Sequence, residues 1–163
     1  MNNWYFDQLR DLYSAETQLI VALPDMAANA TDQELREAFN HHLDETRTQR
    51  ARLMEIFETH GINGEGEDCD AMRGLVKEAN KHVTNTAPGS VRDAVLIASA
   101  NRVEHYEIAA YGVARAFAQC LGHDEDARLL TKSLEEEANA DDTLTKIASG
   151  GIFSTGVNEA AAH

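Results

Sequence analysis

Five glutamates and an aspartate occupy helical positions where apolar side chains are expected. Glu16 has Leu12 and Tyr13 one turn before it and Leu19 and Ile20 one turn after. Glu104 falls among Ile97, Ala100, Ile108 and Tyr111, and Glu107 among Ala100, Val103, Ala110 and Tyr111. Glu137 and Asp141 interrupt the stripe Leu130, Leu134, Leu144, Ile147 and Ala148. Glu45, flanked by His42 and Gln49, stays on the inner line from Phe39 to Leu53. Glu135 and Glu136 serve as a control: their helical neighbours are Thr131, Lys132, Ser133 and Asn139, so both are expected in solvent and Glu137 is singled out from a run of three.

Charge arithmetic turns this pattern into chemistry. Six inward carboxylates place six negative charges in one interior. Arg47 and Arg102, the nearest cations in sequence, sit ~200° around their helices from Glu45 and Glu104 and cannot pair with them locally. An unpaired buried ion costs several kcal/mol, so the cluster must be protonated or bound to cations. Two divalent or trivalent metals would neutralise most or all of it, and an oxygen-rich donor set suits iron or manganese. His42 is either a ligand or a satisfied interior histidine. His105, ~100° around from Glu104, is expected as a hydrogen-bonding partner. Tyr13 and Tyr111 could donate to carboxylates, but core packing is the expected role. Gln49 is expected as an inward polar neighbour. His41, His60, His82, His123 and His163 show no inward pattern and are expected at the surface, as are Arg10, Arg36 and the other scattered cations.

Four long helices must position these residues. Periodicity predicts helices over about 3–29, 32–60, 90–121 and 124–149, with a shorter one over about 69–83. Pro24 lies inside the first and is expected to kink it. Thr31 or Asp32, Ser90 and Asp124 are the expected N-caps, and Gly61 and Gly122 the C-terminal stops. Two antiparallel hairpins joined by a long crossover describe an all-α, ferritin-like four-helix bundle rather than an up-down-up-down one. Residues 1–149 form a single domain on this reading. The tail, 150–163, with two adjacent glycines, is expected to be mobile or draped on the surface.

Composition narrows the partners. The 163 residues carry 28 Asp and Glu against 14 Lys and Arg, a net charge of −14. That balance opposes binding to nucleic acid or to an anionic membrane. No segment approaches the ~20 apolar residues of a membrane span. The start of the chain has neither a basic nor an apolar leader region. Cys69 and Cys120 form no paired motif and are expected to be inert, so a reducing cytoplasm is the expected compartment.

The segments Leu-Arg-Asp-Leu-Tyr-Ser-Ala-Glu (9–16), His-Leu-Asp-Glu-Thr (42–46), Arg-Val-Glu-His-Tyr-Glu-Ile-Ala-Ala-Tyr-Gly (102–112) and Leu-Glu-Glu-Glu-Ala-Asn-Ala-Asp (134–141) resemble the YciF/YciE stress-protein family. The resemblance covers about residues 4–148 and implies the ferritin-like superfamily that includes the rubrerythrins. It implies a cytoplasmic bacterial protein, a homodimer, associated with stress responses. Carried over residue by residue, Glu16 and Glu104 match the single glutamates of the first and third helices of a di-metal site. Glu45 and Glu137 match its bridging glutamates, and Glu107 the extra glutamate of rubrerythrin-like proteins. The histidines expected three residues after the bridging pair are replaced by Thr48 and Ala140, which leaves His42 and Asp141 as substitutes.

The leading expectation is therefore a protein holding two iron or manganese ions that reacts with oxygen or peroxide, or oxidises Fe(II). The alternative is a non-enzymatic stress-response module for binding or assembly, with its metal structural or absent. A DNA-protecting cage fits worst, since the acidic surface and the missing basic tail oppose it.

Overall fold

The structure, a computed structural model, describes residues 1–151 and 154–162. Its long helices are α1 (Asn2–Asn29), α2 (Gln33–His60), α4 (Ser90–Leu121) and α5 (Asp124–Ser149), with the shorter α3 (Asp70–Thr84) in the crossover. These spans agree with the periodicity to within a residue at each end. α1 packs against α2 and α4 against α5; the hairpins meet through α1 with α4 and α2 with α5. The protein is an all-α four-helix bundle of two antiparallel hairpins, and α3 lies across α4 and α1.

The turns follow from single residues. Gly61 and Gly122 adopt left-handed φ angles of 65° and 75°, where a side chain would strain the backbone. Asp32, rather than Thr31, caps α2, its carboxylate accepting from Leu35 N at 2.9 Å. Thr31 is used otherwise: its amide and that of Asp32 donate to the two oxygens of buried Asp93, at 2.7 and 2.9 Å. This pins the α1–α2 turn onto the first turn of α4. Two expected caps are corrected. Gly89 precedes α4, while Ser90 is already helical and its hydroxyl donates to Ala160 O. His123 precedes α5 without a side-chain cap, and Asp124, Glu125 and Asp126 fill the first turn, where the helix dipole favours acids.

Arg36 is exposed and Arg10 partly so, and both also bond across the fold. Arg10 donates to Asn63 O at 3.0 Å and Arg36 to Ala30 O at 2.8 Å, each tying a loop to its helix. Beyond α5, β1 (Gly150–Gly151) pairs antiparallel with β2 (Ser154–Thr155). α6 (Val157–Ala161) then lies on α4 and α5 with Val157 buried. His163 lies outside the described residues.

The core is in two apolar halves. One gathers Leu19, Leu23, Leu35, Phe39, Leu96, Ile97, Leu144 and Ile147 near the α1–α2 turn. The other gathers Leu9, Leu12, Leu53, Ile56, Phe57, Tyr111 and Leu130 near the α4–α5 turn. On every long helix the change from one half to the other falls beside a buried polar residue: Glu16, His42 to Gln49, Glu104 to Glu107, and Glu137. A polar layer thus crosses the bundle at mid-height.

A candidate metal centre

Glu16, Glu107 and Glu137 are fully inaccessible, and Glu104 is 2% exposed. Helical periodicity explains this, because each follows or precedes core residues by one turn and has no route to solvent. His42, also buried, points its ring into the same layer. One ligand atom each from His42, Glu104, Glu107 and Glu137 lie within 4.8 Å of one another. His42 Nε2 is 3.3 Å from Glu104 and 3.8 Å from Glu137, while Nδ1 is 3.5 Å from Glu45. Glu16 joins from α1, with its Oε1 accepting a hydrogen bond from the buried Tyr111 hydroxyl.

The two remaining expected ligands stand at the edge. Glu45 is 23% exposed and also lies 3.3 Å from exposed His41. Asp141 is 21% exposed; Asn101 donates to its Oδ1 at 2.6 Å, and His105 lies 3.4 Å from the same atom. His105 thus approaches an edge carboxylate rather than the inner cluster.

Protein groups leave the layer electrostatically incomplete. Eight of the eleven buried side-chain nitrogen and oxygen atoms without a hydrogen-bond partner, among the described residues, belong to it. They include both oxygens of Glu107, one each of Glu16, Glu104 and Glu137, and both ring nitrogens of His42. Burial, and then the neighbouring charge of Glu137, pushes the carboxyls of Glu16, Glu104 and Glu107 well above their ordinary range. Burial also works to lower His42, but Glu45 and the charges of Glu137 and Glu136 outweigh it, so the imidazole is raised. Orphaned carboxylate oxygens converging with an imidazole are a donor set that could hold a hard divalent cation.

Three expectations need correction. Glu136 is half-buried and paired rather than free in solvent: Arg52 grips both its oxygens at 2.6 and 2.7 Å, and Gln49 donates to it at 3.1 Å. Arg52 comes from another helix, so local neighbours could not reveal it. The same Gln49 amide also donates to Glu137. Tyr111 does more than pack, because its hydroxyl holds Glu16, and burial followed by that carboxylate's charge pushes the phenol well up. His60 and His123 are half-buried rather than superficial, packed edge to face at 4.7 Å between ring centres beside Asp126.

A small cavity of about 80 Å³ opens beside the layer, lined by Phe39, His42, Glu45, Glu104 and Leu144 among others. Cys69 is buried and is not a free nucleophile. Its sulfur contacts the Tyr106 hydroxyl at 3.0 Å and accepts from Met72 N at the start of α3, and burial raises the thiol. Among the described residues no helix is long and apolar enough to cross a membrane.

Comparison with known proteins agrees with this architecture. Protein YciF of Escherichia coli is 41% identical over 153 residues, which is 93% of this chain and 92% of that protein. The crystal structure of that stress protein superposes with a TM-score of 0.86, covering 89% of this chain and 92% of the other. YcfI of Rhodopseudomonas palustris, which carries a provisional description as a structural protein, matches with a TM-score of 0.88 at 42% identity, over 91% and 94% of the two chains. A protein of Xanthomonas campestris shares the fold at 19% identity, with a TM-score of 0.71 over 88% and 87% of the two chains. The profile of the family described as a domain of unknown function, DUF892, matches residues 1–162. With sequence and bundle in agreement over nearly their whole length, the chain belongs to the DUF892 family, among the relatives of the stress protein YciF.

Proposed function

We propose that the mid-bundle layer holds two iron or manganese ions and that the protein works as a stress-associated di-metal oxidase, peroxidase or ferroxidase. The observation that carries this reading is the set of buried, unpartnered carboxylate oxygens that α1, α4 and α5 turn towards one interior space, with the unpartnered His42 ring from α2. Glu16, His42, Glu104, Glu107 and Glu137 are the inner ligands in this reading, with Glu45 and Asp141 completing the set from the edge. The bound metals would supply one-electron redox chemistry towards oxygen, peroxide or Fe(II).

The chain's own residues do the rest. Tyr111 fixes the Glu16 carboxylate, and Gln49 fixes Glu137, so two ligands from different helices are held in place before metal arrives. The raised carboxyls hold protons when no cation is present and must release them on binding, so uptake is coupled to proton release. The cavity beside His42 and Glu104 has room for a few water-sized molecules, which favours a small oxidant over a bulky organic substrate.

The test is oxidation of Fe(II) by oxygen and by peroxide, with and without Glu16→Ala and Glu137→Ala. Turnover that disappears with metal content in both variants is the expected result. Turnover indifferent to both would refute the reading. The alternative, a non-enzymatic assembly or binding module with a structural or empty site, is favoured by Thr48 and Ala140, which replace the histidines of the superfamily pattern. It predicts partner binding that survives Glu16→Ala. A cytoplasmic homodimer that binds neither nucleic acid nor membrane is part of the proposal, and sedimentation velocity with a low-salt mobility-shift assay checks its assembly and its indifference to DNA.

A further inference from the structure

The end of the bundle opposite the α1–α2 turn carries a second group of metal-ligating side chains that the mid-bundle centre does not use. His60 is the last residue of α2, His123 immediately precedes α5, and Asp126 lies in the first turn of α5. His60 Nε2 is 2.8 Å from Asp126 Oδ2, and the two imidazoles meet edge to face at 4.7 Å. One ligand atom from each of the three residues lies within 4.8 Å of the others. His123 Nε2 is buried with no hydrogen-bond partner. Along α2, His60 stands 18 residues from His42, ~27 Å at the helical rise, so the two groups are separate.

We propose that His60, His123 and Asp126 form a mononuclear site for a borderline transition-metal ion, of which Zn(II) is the representative. The donor chemistry selects that class, because two imidazoles and one carboxylate suit zinc rather than the hard ions favoured by an all-oxygen set. Asp126 is 4% exposed and would be a costly isolated charge, but it is held from behind. The buried Tyr5 hydroxyl donates to Asp126 Oδ2 at 2.8 Å. Burial, then that carboxylate, keeps the Tyr5 phenol protonated well above its usual range, so it acts as a fixed donor to the ligand. The α2 C-terminus contributes a field that favours a cation, and the α5 N-terminus one that opposes it, so the donors rather than the dipoles carry the site. His60 keeps 21% of its side chain exposed, which gives the ion a way in and leaves a coordination position to water. Metal binding replaces the His60–Asp126 hydrogen bond and gives the orphaned His123 nitrogen a partner. The site closes three segments together: the end of α2, the α4–α5 turn and, through Tyr5, the start of α1.

The site is independent of the mid-bundle reading, and the experiment separates them. Metal-stripped full-length Glu104→Gln/Glu137→Gln protein, with its central layer disabled, is titrated with Zn(II) by calorimetry and equilibrium dialysis. One equivalent should bind. Added to that background, His123→Ala and the more conservative His60→Gln should each weaken Zn(II) at least tenfold, with helicity unchanged by circular dichroism. Co(II) should give the visible absorption of a four- or five-coordinate ion, and that absorption should vanish in both histidine variants. No Zn(II) uptake by the Glu104→Gln/Glu137→Gln protein, or uptake indifferent to both histidine substitutions, would overturn the proposal.

Discussion

Two of the levels at which the bundle buries acid are neutralised by different means. At the end of the bundle Asp126 is met by a tyrosine hydroxyl and a histidine, each at 2.8 Å. At mid-height Glu107 has no partner on either oxygen. The contrast repeats between adjacent residues of α5: Glu136 lies in the fork of Arg52, while one oxygen of Glu137 faces only other acids and His42. The fold can supply a guanidinium to this interior, since Arg52 is within reach of the layer, yet it supplies one only at the rim. On the proposed reading, a layer that leaves its central carboxylates without a guanidinium is organised for cations from outside. The donor sets differ too, with oxygen dominating the middle and imidazole the end.

The largest effect expected is on metal itself. Glu16→Ala or Glu137→Ala should reduce about two ions per chain to less than about half an ion, read by elemental analysis after reconstitution. Glu136→Ala, next door, should leave most of the metal bound, which makes it the sharper control. Next in size is the rim pair. Arg52→Ala strands Glu136 in a half-buried position and should cost about 1–3 kcal/mol in urea unfolding, discounted from a fully buried pair because both side chains keep some water contact.

The pH response of the metal-free protein follows from the raised carboxyls. Glu16, Glu104 and Glu107 hold their protons in the folded state at pH values where the unfolded chain has lost them. Below the ordinary carboxyl range, folded and unfolded states are equally protonated and these groups impose no penalty. As pH rises above it, the unfolded state deprotonates first, so stability falls. His42, raised in the folded state, acts in the same direction: its contribution is present below the ordinary imidazole value and is lost as pH rises through the folded one. The metal-free melting temperature should therefore fall between about pH 5 and pH 8, and bound metal should flatten that slope, as scanning calorimetry would show.

Two smaller effects refine the comparison. Glu107→Gln should stabilise the metal-free protein at neutral pH by about 1 kcal/mol while weakening metal binding, a sign reversal that a merely structural glutamate would not show. Tyr111→Phe should cost about 1 kcal/mol through the lost hydrogen bond to Glu16 and lower metal affinity about tenfold.

The helices and the inward acids were legible because both obey one rule, the 3.6-residue period. That rule gave the five long or crossover helices and put Glu16, Glu104, Glu107 and Glu137 on inner faces. It failed where a partner came from another helix. Thr131, Lys132 and Ser133 mark Glu136 as solvated, and Arg52, 84 residues away, reverses that. Tyr111 carries the same ambiguity, since an inward tyrosine packs and donates with one sequence signature. His60, His123 and Asp126 sit at helix ends, where periodicity has nothing to act on. Their one local signal was the three-residue spacing of His123 and Asp126 across the start of α5, which puts both on one side of the first turn. The caps at Ser90 and Asp124 were misplaced by one residue because Gly89 and His123, which precede the two helices, make no side-chain cap hydrogen bond and so carry no capping signature.

The most direct test of the central account is the metal content of the untagged full-length protein, before and after reconstitution with Fe(II) and with Mn(II). The account predicts about two ions per chain, lost on Glu16→Ala and Glu137→Ala. A wild-type protein that takes up neither ion after reconstitution would contradict it, because the buried carboxylates would then be stable as protonated acids and the layer would be a structural device of the bundle.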